Sequence, residues 1–337
     1  MLSKRIGIDL GTANTLVYLA GQGIALNEPT VVAVRMEDSK VVAVGQEAKE
    51  MLGRTPGNVI ATRPLKDGVI ADYVITEVML SYFIDKVCGK SRFFKPEVMV
   101  CIPSVVTQVE KRAIFDATLS AGARSVYLIE EPLAAAIGAK VPIAQATGHM
   151  IIDSGGGTTD IAVISLGGVV VHKSIRVAGN KIEEAIANHI RKKFNLLVGE
   201  RSIEEIKIGI GNVLPKSADE VVMEVKGRDS VSGLPRSIQL KDSEISEAIA
   251  SPIKVIVSGI KEVFEATPPE LASDIIEKGI VLSGGTALLR NLSTYIAEHT
   301  GVPCYVAEEP LLCVIRGTGV ALENLELYKR SISRTEY

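Results

Sequence analysis

One pattern occurs twice in this chain, and it constrains the fold more than any other feature of the 337 residues. Near the start stands Ile8-Asp9-Leu10-Gly11-Thr12-Ala13-Asn14-Thr15. Near the middle stands Ile152-Asp153-Ser154-Gly155-Gly156-Gly157-Thr158-Thr159-Asp160. Each is an apolar strand carrying an Asp near its end, then a Gly/Thr turn, then a second apolar strand. The two Asp residues stand about one domain length apart, so the simplest reading is two related domains facing each other. Glycine lets a backbone turn tightly and approach a ligand closely. Successive N–H groups in such a turn make a nest for anions. Two nests from opposite sides can clamp a chain of phosphates. An Asp at the end of each strand can hold a metal ion, directly or through water. Mg²⁺ suits that role, because it keeps several waters and takes few carboxylates.

Taken singly, either turn reads equally well as a tight hairpin; the pair, each with its Asp, favours the phosphate reading. Neither turn is a Walker loop, since no G-x-x-x-x-G-K-[ST] is present. Neither is a dinucleotide fingerprint, since both lead into strands and not helices. A third glycine turn, Ser283-Gly284-Gly285-Thr286, follows a strand and precedes a helix. Its glycines allow backbone to lie against a base or ribose, or simply allow close strand–helix packing.

The rest of the chain alternates strands and helices, which predicts α/β layers. Strands are expected at Arg5–Leu10, Thr15–Ala20, Val31–Val34, Lys40–Val44, Val98–Ile102, Val126–Ile129, His149–Asp153, Ile161–Ser165, Val169–Ser174 and Gly279–Leu282. Helices are expected over Val74–Lys90, from a Thr107-x-x-Glu110 capping box to about Gly122, and over Leu133–Gly138, Lys181–Phe194 and Ser243–Ala266. A second capping box is expected at Thr267-Pro268-Pro269-Glu270, a single helix from the third glycine turn to His299, and a last helix over Leu311–Leu325. The polar stretch from Leu196 to Lys241 reads as a smaller inserted lobe. A net charge of −3 offers no whole-protein nucleic-acid footprint. The four cysteines form no C-x-x-C pair, so reduced thiols in a cytosolic protein are expected. No signal peptide and no membrane-length apolar run is visible.

These segments together resemble the actin/DnaK-type chaperone/sugar-kinase ATPase superfamily, and within it the MreB family of bacterial actin-like cell-shape proteins. The resemblance spans nearly the whole chain. It extends to Arg63–Asp72, Glu130-Glu131-Pro132, Gly227–Pro235 and Thr267–Gly285. It implies an actin-like fold of two related domains, each with a large and a small subdomain, around a nucleotide cleft. The implied boundaries are 1–144 plus 315–337, with a small subdomain near 32–66, and 145–314, with a small subdomain near 181–244. ATP and Mg²⁺ are the implied cofactors. Gly11, Thr12, Ala13 and Asn14 match the first phosphate loop; Gly155, Gly156, Gly157, Thr158 and Thr159 match the second. Asp9 and Asp153 match the carboxylates near the metal. Glu204 and Lys207 border the nucleoside, and Gly284, Gly285, Thr286 and Ala287 match the adenosine loop. Glu131, helped by Thr158, matches the group that positions the attacking water. Without the resemblance, Glu131 reads as a carboxylate favoured at a helix start. Ser154, Asp160 and Thr286 depart from the family, which usually carries an apolar residue, often Glu, and Gly or Ser there.

Phe93-Phe94 lies between Arg92 and Lys95. The resemblance makes this pair a loop that dips into the inner face of the cell membrane, and aromatics beside basic residues suit an anionic interface. From the residues alone, packing into the core is an equal reading. The implied activity is ATP hydrolysis coupled to assembly of homopolymer filaments, peripheral on the membrane, that organise cell-wall synthesis and rod shape. The implied partners are further copies of the chain and wall-elongation proteins such as MreC, MreD and RodZ. A DnaK-type chaperone ATPase and a small-molecule kinase are the alternatives. The first lacks a following peptide-binding domain here, and no segment announces the second substrate pocket of the other.

Overall fold

The structure is a computed structural model describing residues 3–38, 40–89, 95–215, 220–329 and 331–334. The first half runs β1 (Arg5–Leu10), β2 (Asn14–Leu19), β3 (Gly23–Pro29), β4 (Val32–Arg35), β5 (Val41–Val44), α1 (Gln46–Met51), β6 (Val59–Thr62), β7 (Leu65–Lys66), β8 (Val69–Ile70), α2 (Tyr73–Cys88), β9 (Glu97–Ile102), α3 (Gln108–Ser120), β10 (Ser125–Glu130) and α4 (Glu131–Gly138). The second runs β11 (His149–Ser154), β12 (Thr159–Ser165), β13 (Gly168–Ile175), α5 (Gly179–Phe194), β14 (Leu196–Leu197), α6 (Glu200–Ile210), β15 (Val222–Asp229), β16 (Pro235–Lys241), α7 (Asp242–Ala266), α8 (Pro269–Lys278), β17 (Ile280–Ser283), α9 (Leu292–Thr300), β18 (Cys304–Val306), α10 (Cys313–Glu323) and β19 (Ile332–Arg334).

The repeated motif opens two sheets of one design. In the first, the order is β19-β10-β9-β1-β2-β3; in the second it is β13-β12-β11-β17-β18. Each starts as an antiparallel meander, β1-β2-β3 or β11-β12-β13. Two parallel strands then join the far side of the opening strand, β9 and β10 in one sheet, β17 and β18 in the other. Parallel neighbours require crossover helices, which is why each sheet is covered by them. Small sheets, β5-β4-β6 and β14-β15-β16, are inserted in the two halves.

Helices α4 and α10 form the layer between the two sheets. They share one apolar cluster with Met99 and Ile129 of the first sheet and Ile151, Ala162 and Ile164 of the second. Their approach is closer than side chains allow. A Cβ on Gly317 would lie 1.7 Å from the Ala134 carbonyl oxygen, and one on Gly138 would lie 1.8 Å from that of Cys313. Only glycine fits at either point. The two larger cores flank this layer, one on the outer face of each sheet, and a small fourth cluster of Val31, Ala33, Ala43 and Ala48 fills the β5-β4-β6 lobe.

Three expectations are corrected. Thr267 does not cap α8: it ends α7, its hydroxyl donates to the Val263 carbonyl at 2.6 Å, and Pro268 takes the cap position without a side-chain bond. A proline-led start needs less capping, because the missing N–H is one fewer donor to satisfy. The segment after Gly284 is not one helix to His299. A single 3₁₀ turn, Gly285–Leu288, is followed by Asn291 in the left-handed region (φ 62°), and α9 starts only there. The last helix is also shorter than expected, with a 3₁₀ turn at Pro310–Leu312 preceding Cys313.

Candidate functional site

The two glycine hairpins meet. A Cβ on Gly156 would stand 2.9 Å from Ala13 Cβ, and one on Gly157 would stand 2.5 Å from Thr12 Oγ1. Each loop is set by its strand register, Leu10 against Thr15 and Ser154 against Thr159. The second is closed by the Gly155 amide donating to the Thr158 carbonyl at 3.0 Å. A third turn completes the junction. Asp67 (φ 51°) and Gly68 (φ 78°) join β7 to β8, as an Asp-Gly pair readily does. The Gly68 amide donates to Thr12 Oγ1 at 3.0 Å, and a Cβ on Gly68 would lie 3.0 Å from Thr158 Cγ2. Asp67 and Gly68 are not among the expected site residues; the Asp-Gly dipeptide between two very short strands is the local signal for this turn.

Carboxylates gather beneath the hairpins. Asp153 is buried, and Asp9 and Glu131 are half-buried. Burial, and then the nearby Asp153 charge, pushes Asp9 up to about 7. Asp153 also rises to about 7, through burial, although the Ser283 hydroxyl donates to its Oδ1 at 2.6 Å and favours the charged form. Glu131 stands well above the usual carboxylate range, first from burial and then from Asp160, Asp9 and Asp153. Like charges collected in a poorly solvated place favour a cation. Among the described residues no three acidic, His or Cys side chains converge to ligate a metal by themselves. Asp9 and Asp153 are the residues that could hold a hard divalent cation, which keeps much of its shell as water.

The third glycine turn lies against the second hairpin. Gly284 (φ 83°) carries the left-handed residue of that turn, and a Cβ there would lie 2.3 Å from the Ser154 carbonyl oxygen. Thr286 sits in the following 3₁₀ turn without a positive φ, and its hydroxyl donates to the Gly155 carbonyl at 2.8 Å. The β-branched residue is thus accommodated, because Gly284, two residues earlier, takes the unusual backbone. Lys207 Nζ and Thr286 Oγ1 both approach Gly179 at the start of α5, 3.2 and 3.5 Å from where its Cβ would be.

Several expected site residues carry structural partners as well. Lys207 is paired with Glu183 at 2.6 Å. Glu204 is paired with Lys49 of α1 at 2.8 Å, a bridge from the second half to the first. Burial works against the Glu204 charge, but Lys49, Lys207 and Arg63 outweigh it and hold the carboxyl below its usual range. The Thr159 hydroxyl is taken up by the Val177 carbonyl at 2.8 Å and by Ser154. Asn14 is exposed, and its side-chain amide donates to Asn27. Gly11 turns tightly, with its carbonyl accepting from Thr30 at 2.7 Å. Ala287 is buried beside Gly285. Phe93 and Phe94 lie outside the described residues. The sequence reading also gave no role to Lys49, Ser283 or Ser104, and to Asp160 only a departure from the family pattern. Ser283 and Asp160 sit at the ends of quoted motifs but outside their glycine turns, whereas Lys49 and Ser104 belong to no motif and are brought to the site only by folding.

The family model for MreB/Mbl protein matches residues 3–330. Cell shape-determining protein MreB of Escherichia coli (strain K12) is 53% identical over 335 residues, covering 97% of this chain and 96% of that one. Cell shape-determining protein Mbl of Bacillus subtilis (strain 168) is 51% identical over 334 residues, covering 99% of this chain and all of that one. A crystal structure of MreB 5 of Spiroplasma citri bound to AMPPNP superposes with a TM-score of 0.92 at 37% identity, over 98% of this chain and 99% of that one. The MamK double helical filament gives 0.80 at 21% identity, over 96% and 99%, a likeness of fold. Two sheets of one topology, hairpins meeting between them, and relatives about half identical from end to end lead to one assignment: the chain has the actin-like fold and belongs to the MreB/Mbl family.

Proposed function

We propose that this chain binds ATP with Mg²⁺ between its two halves, hydrolyses it, and assembles into filaments that lie on the inner face of the cell membrane and direct cell shape. The observation that carries the reading is the contact between the two Asp-led glycine hairpins, directly above a group of uncompensated carboxylates. Amides of Gly11–Ala13 and Gly156–Thr158 are suited to hold the phosphates from both sides, with the Gly155 amide closing its own turn. Asp9 and Asp153 would hold Mg²⁺ through its water shell, and the ion would neutralise charge on the β- and γ-phosphates. Glu131 and the Thr158 hydroxyl would orient a water in line with the γ-phosphorus, since phosphoryl transfer depends on alignment more than on covalent help. Thr286 and Lys207 border the nucleoside side. MreB5 of Spiroplasma citri is known bound to AMPPNP and to ADP, which supports the nucleotide. The names of the relatives support the role in cell shape.

The filament reading draws on the likeness to the MamK filament. Membrane attachment is assigned to Phe93 and Phe94, and wall-elongation proteins such as MreC, MreD and RodZ are the proposed partners. The test is one preparation measured three ways: fluorescent ATP binding, phosphate release, and electron microscopy on anionic liposomes. Glu131→Ala is expected to bind ATP within about threefold of the parent and to lose phosphate release by about a hundredfold. Phe93→Ser/Phe94→Ser is expected to keep turnover and lose vesicle binding. Absence of ATP binding by the parent would reject the reading.

A further inference from the structure

One carboxylate bonded between the two halves is only partly satisfied. Ser104 follows β9 in the first half, and its amide donates to Oδ1 of Asp160, on β12 in the second half, at 3.1 Å. Asp160 is completely buried, yet its Oδ2 accepts no hydrogen bond; Ser104 Oγ, also buried, has no partner either. Ser174 and Thr158 lie close enough to favour the Asp160 charge, but neither reaches Oδ2 with hydrogen-bond geometry. Among the described residues only three buried side-chain polar atoms lack partners, and these are two of them, on residues already bonded to each other. Buried polar atoms in folded proteins are satisfied by protein or by ordered water. An ionised carboxylate oxygen only accepts, whereas a serine hydroxyl both donates and accepts. A water bound by both would accept from Ser104 and donate to Asp160.

The location gives that water a use. Ile102, two residues before Ser104, is paired with Glu130, the residue before Glu131, so both leave the same ends of adjacent parallel strands. Asp160 is paired with Asp153 and lies two residues beyond Thr158. After burial, Asp160 is the strongest influence raising Glu131.

We propose that Asp160 and Ser104 hold an ordered water whose remaining hydrogen is donated to one oxygen of Glu131, fixing that carboxylate so that its other oxygen aligns the attacking water. Asp160 is then a positioning residue for hydrolysis, acting through Glu131. This rests on the ATPase reading above, and it requires no proton transfer at Asp160.

Two measurements test it. A high-resolution crystal structure of the parent protein should show a water within hydrogen-bond distance of both Asp160 Oδ2 and Ser104 Oγ, and Ser104→Ala should lose or displace it. A protein donor bonded directly to Oδ2, or no water there, overturns the proposal. In single-turnover phosphate release, Asp160→Asn should lower kcat about tenfold or more, with KM and ATP affinity within about twofold. Ser104→Ala keeps the amide tie and should lower kcat about threefold, while Asp160→Glu should retain most of it. A purely structural role would instead lower Tm and shift KM without this split. A parent that turns over while Asp160→Asn is unchanged overturns this proposal alone. A parent that binds ATP but never releases phosphate overturns the hydrolysis reading, and with it the role of Asp160, whatever the crystal shows at Oδ2.

Discussion

Asp9 shows how a single residue can weaken the fold that carries it. Its carboxyl moves from the ordinary 3.8 to about 7 because it is poorly solvated and faces Asp153. Between about pH 4 and pH 7 the unfolded chain releases this proton while the native chain keeps it, so the native state binds more protons and its stability falls as pH rises. Below about pH 4 both states are protonated and nothing is lost. Asp9→Asn removes the charge from the native cleft. Without nucleotide at about pH 7.5, the variant is expected to be more stable than the parent by roughly 2–4 kcal/mol, and the gap should close toward about pH 4. Urea unfolding at several pH values measures this. Mg²⁺-dependent ATP binding should weaken in the same variant. A variant less stable than the parent at every pH would show that the carboxylate is held by bonds rather than merely desolvated.

At the scale of elements, the tightest constraint is the crossing of α4 and α10. Replacing Gly317 by Ala places a methyl where the Ala134 carbonyl oxygen already is. The helices must separate, at a cost of about 2 kcal/mol or more, readable as a lower urea midpoint with unchanged slope. Ala at Gly301, where nothing lies within 4 Å but φ is 73°, should cost only about 1 kcal/mol from backbone strain. A second element-level device is the pair between Lys49 on α1 and Glu204 on α6, which joins the two halves. Both side chains are partly exposed, so the pair is worth about 0.2–1 kcal/mol and is weakened by salt. Lys49→Ala should speed release of a fluorescent ADP by up to about fivefold, with less effect at high salt. An unchanged release rate would mean the pair is not a strap on the cleft. Elements like α1 were hard to read from sequence. Six residues carry less than two helical turns of pattern. Strands β3, β6, β18 and β19 were missed for a similar reason: their residues are mostly half-exposed or few, so alternation is weak.

For the whole molecule, the duplicated topology is what makes a closing cleft possible. The two sheets meet through a thin helical layer and three interlocked turns, so a bulkier residue in one turn is expected to alter the angle between halves. Gly157→Val would force side-chain carbons against Thr12 and the Asp67 backbone. It is expected to hold the halves apart, lower ATP affinity about tenfold or more, and reduce ATP-dependent pelleting in step. Lost pelleting with normal ATP affinity would instead place the defect at a contact between copies.

The actin-like two-sheet plan was legible in the linear chain, as were the three glycine turns that meet between the sheets. The Asp-led hairpins, the glycine turn after β17 and the capping box at Thr107 are local signals, and each keeps its meaning wherever the chain goes. Tertiary structure alone decided what those turns touch. That Asp67-Gly68 fills the junction, that Lys49 reaches Glu204, and that Ser104 and Asp160 share an unfinished bond are contacts between segments far apart in the chain. Tertiary packing also turned Thr267 back onto α7 and broke the helix after Gly284. Such outcomes follow from close-packed neighbours competing for the same space and the same hydrogen bonds, and a linear pattern of residues carries no record of which neighbour wins.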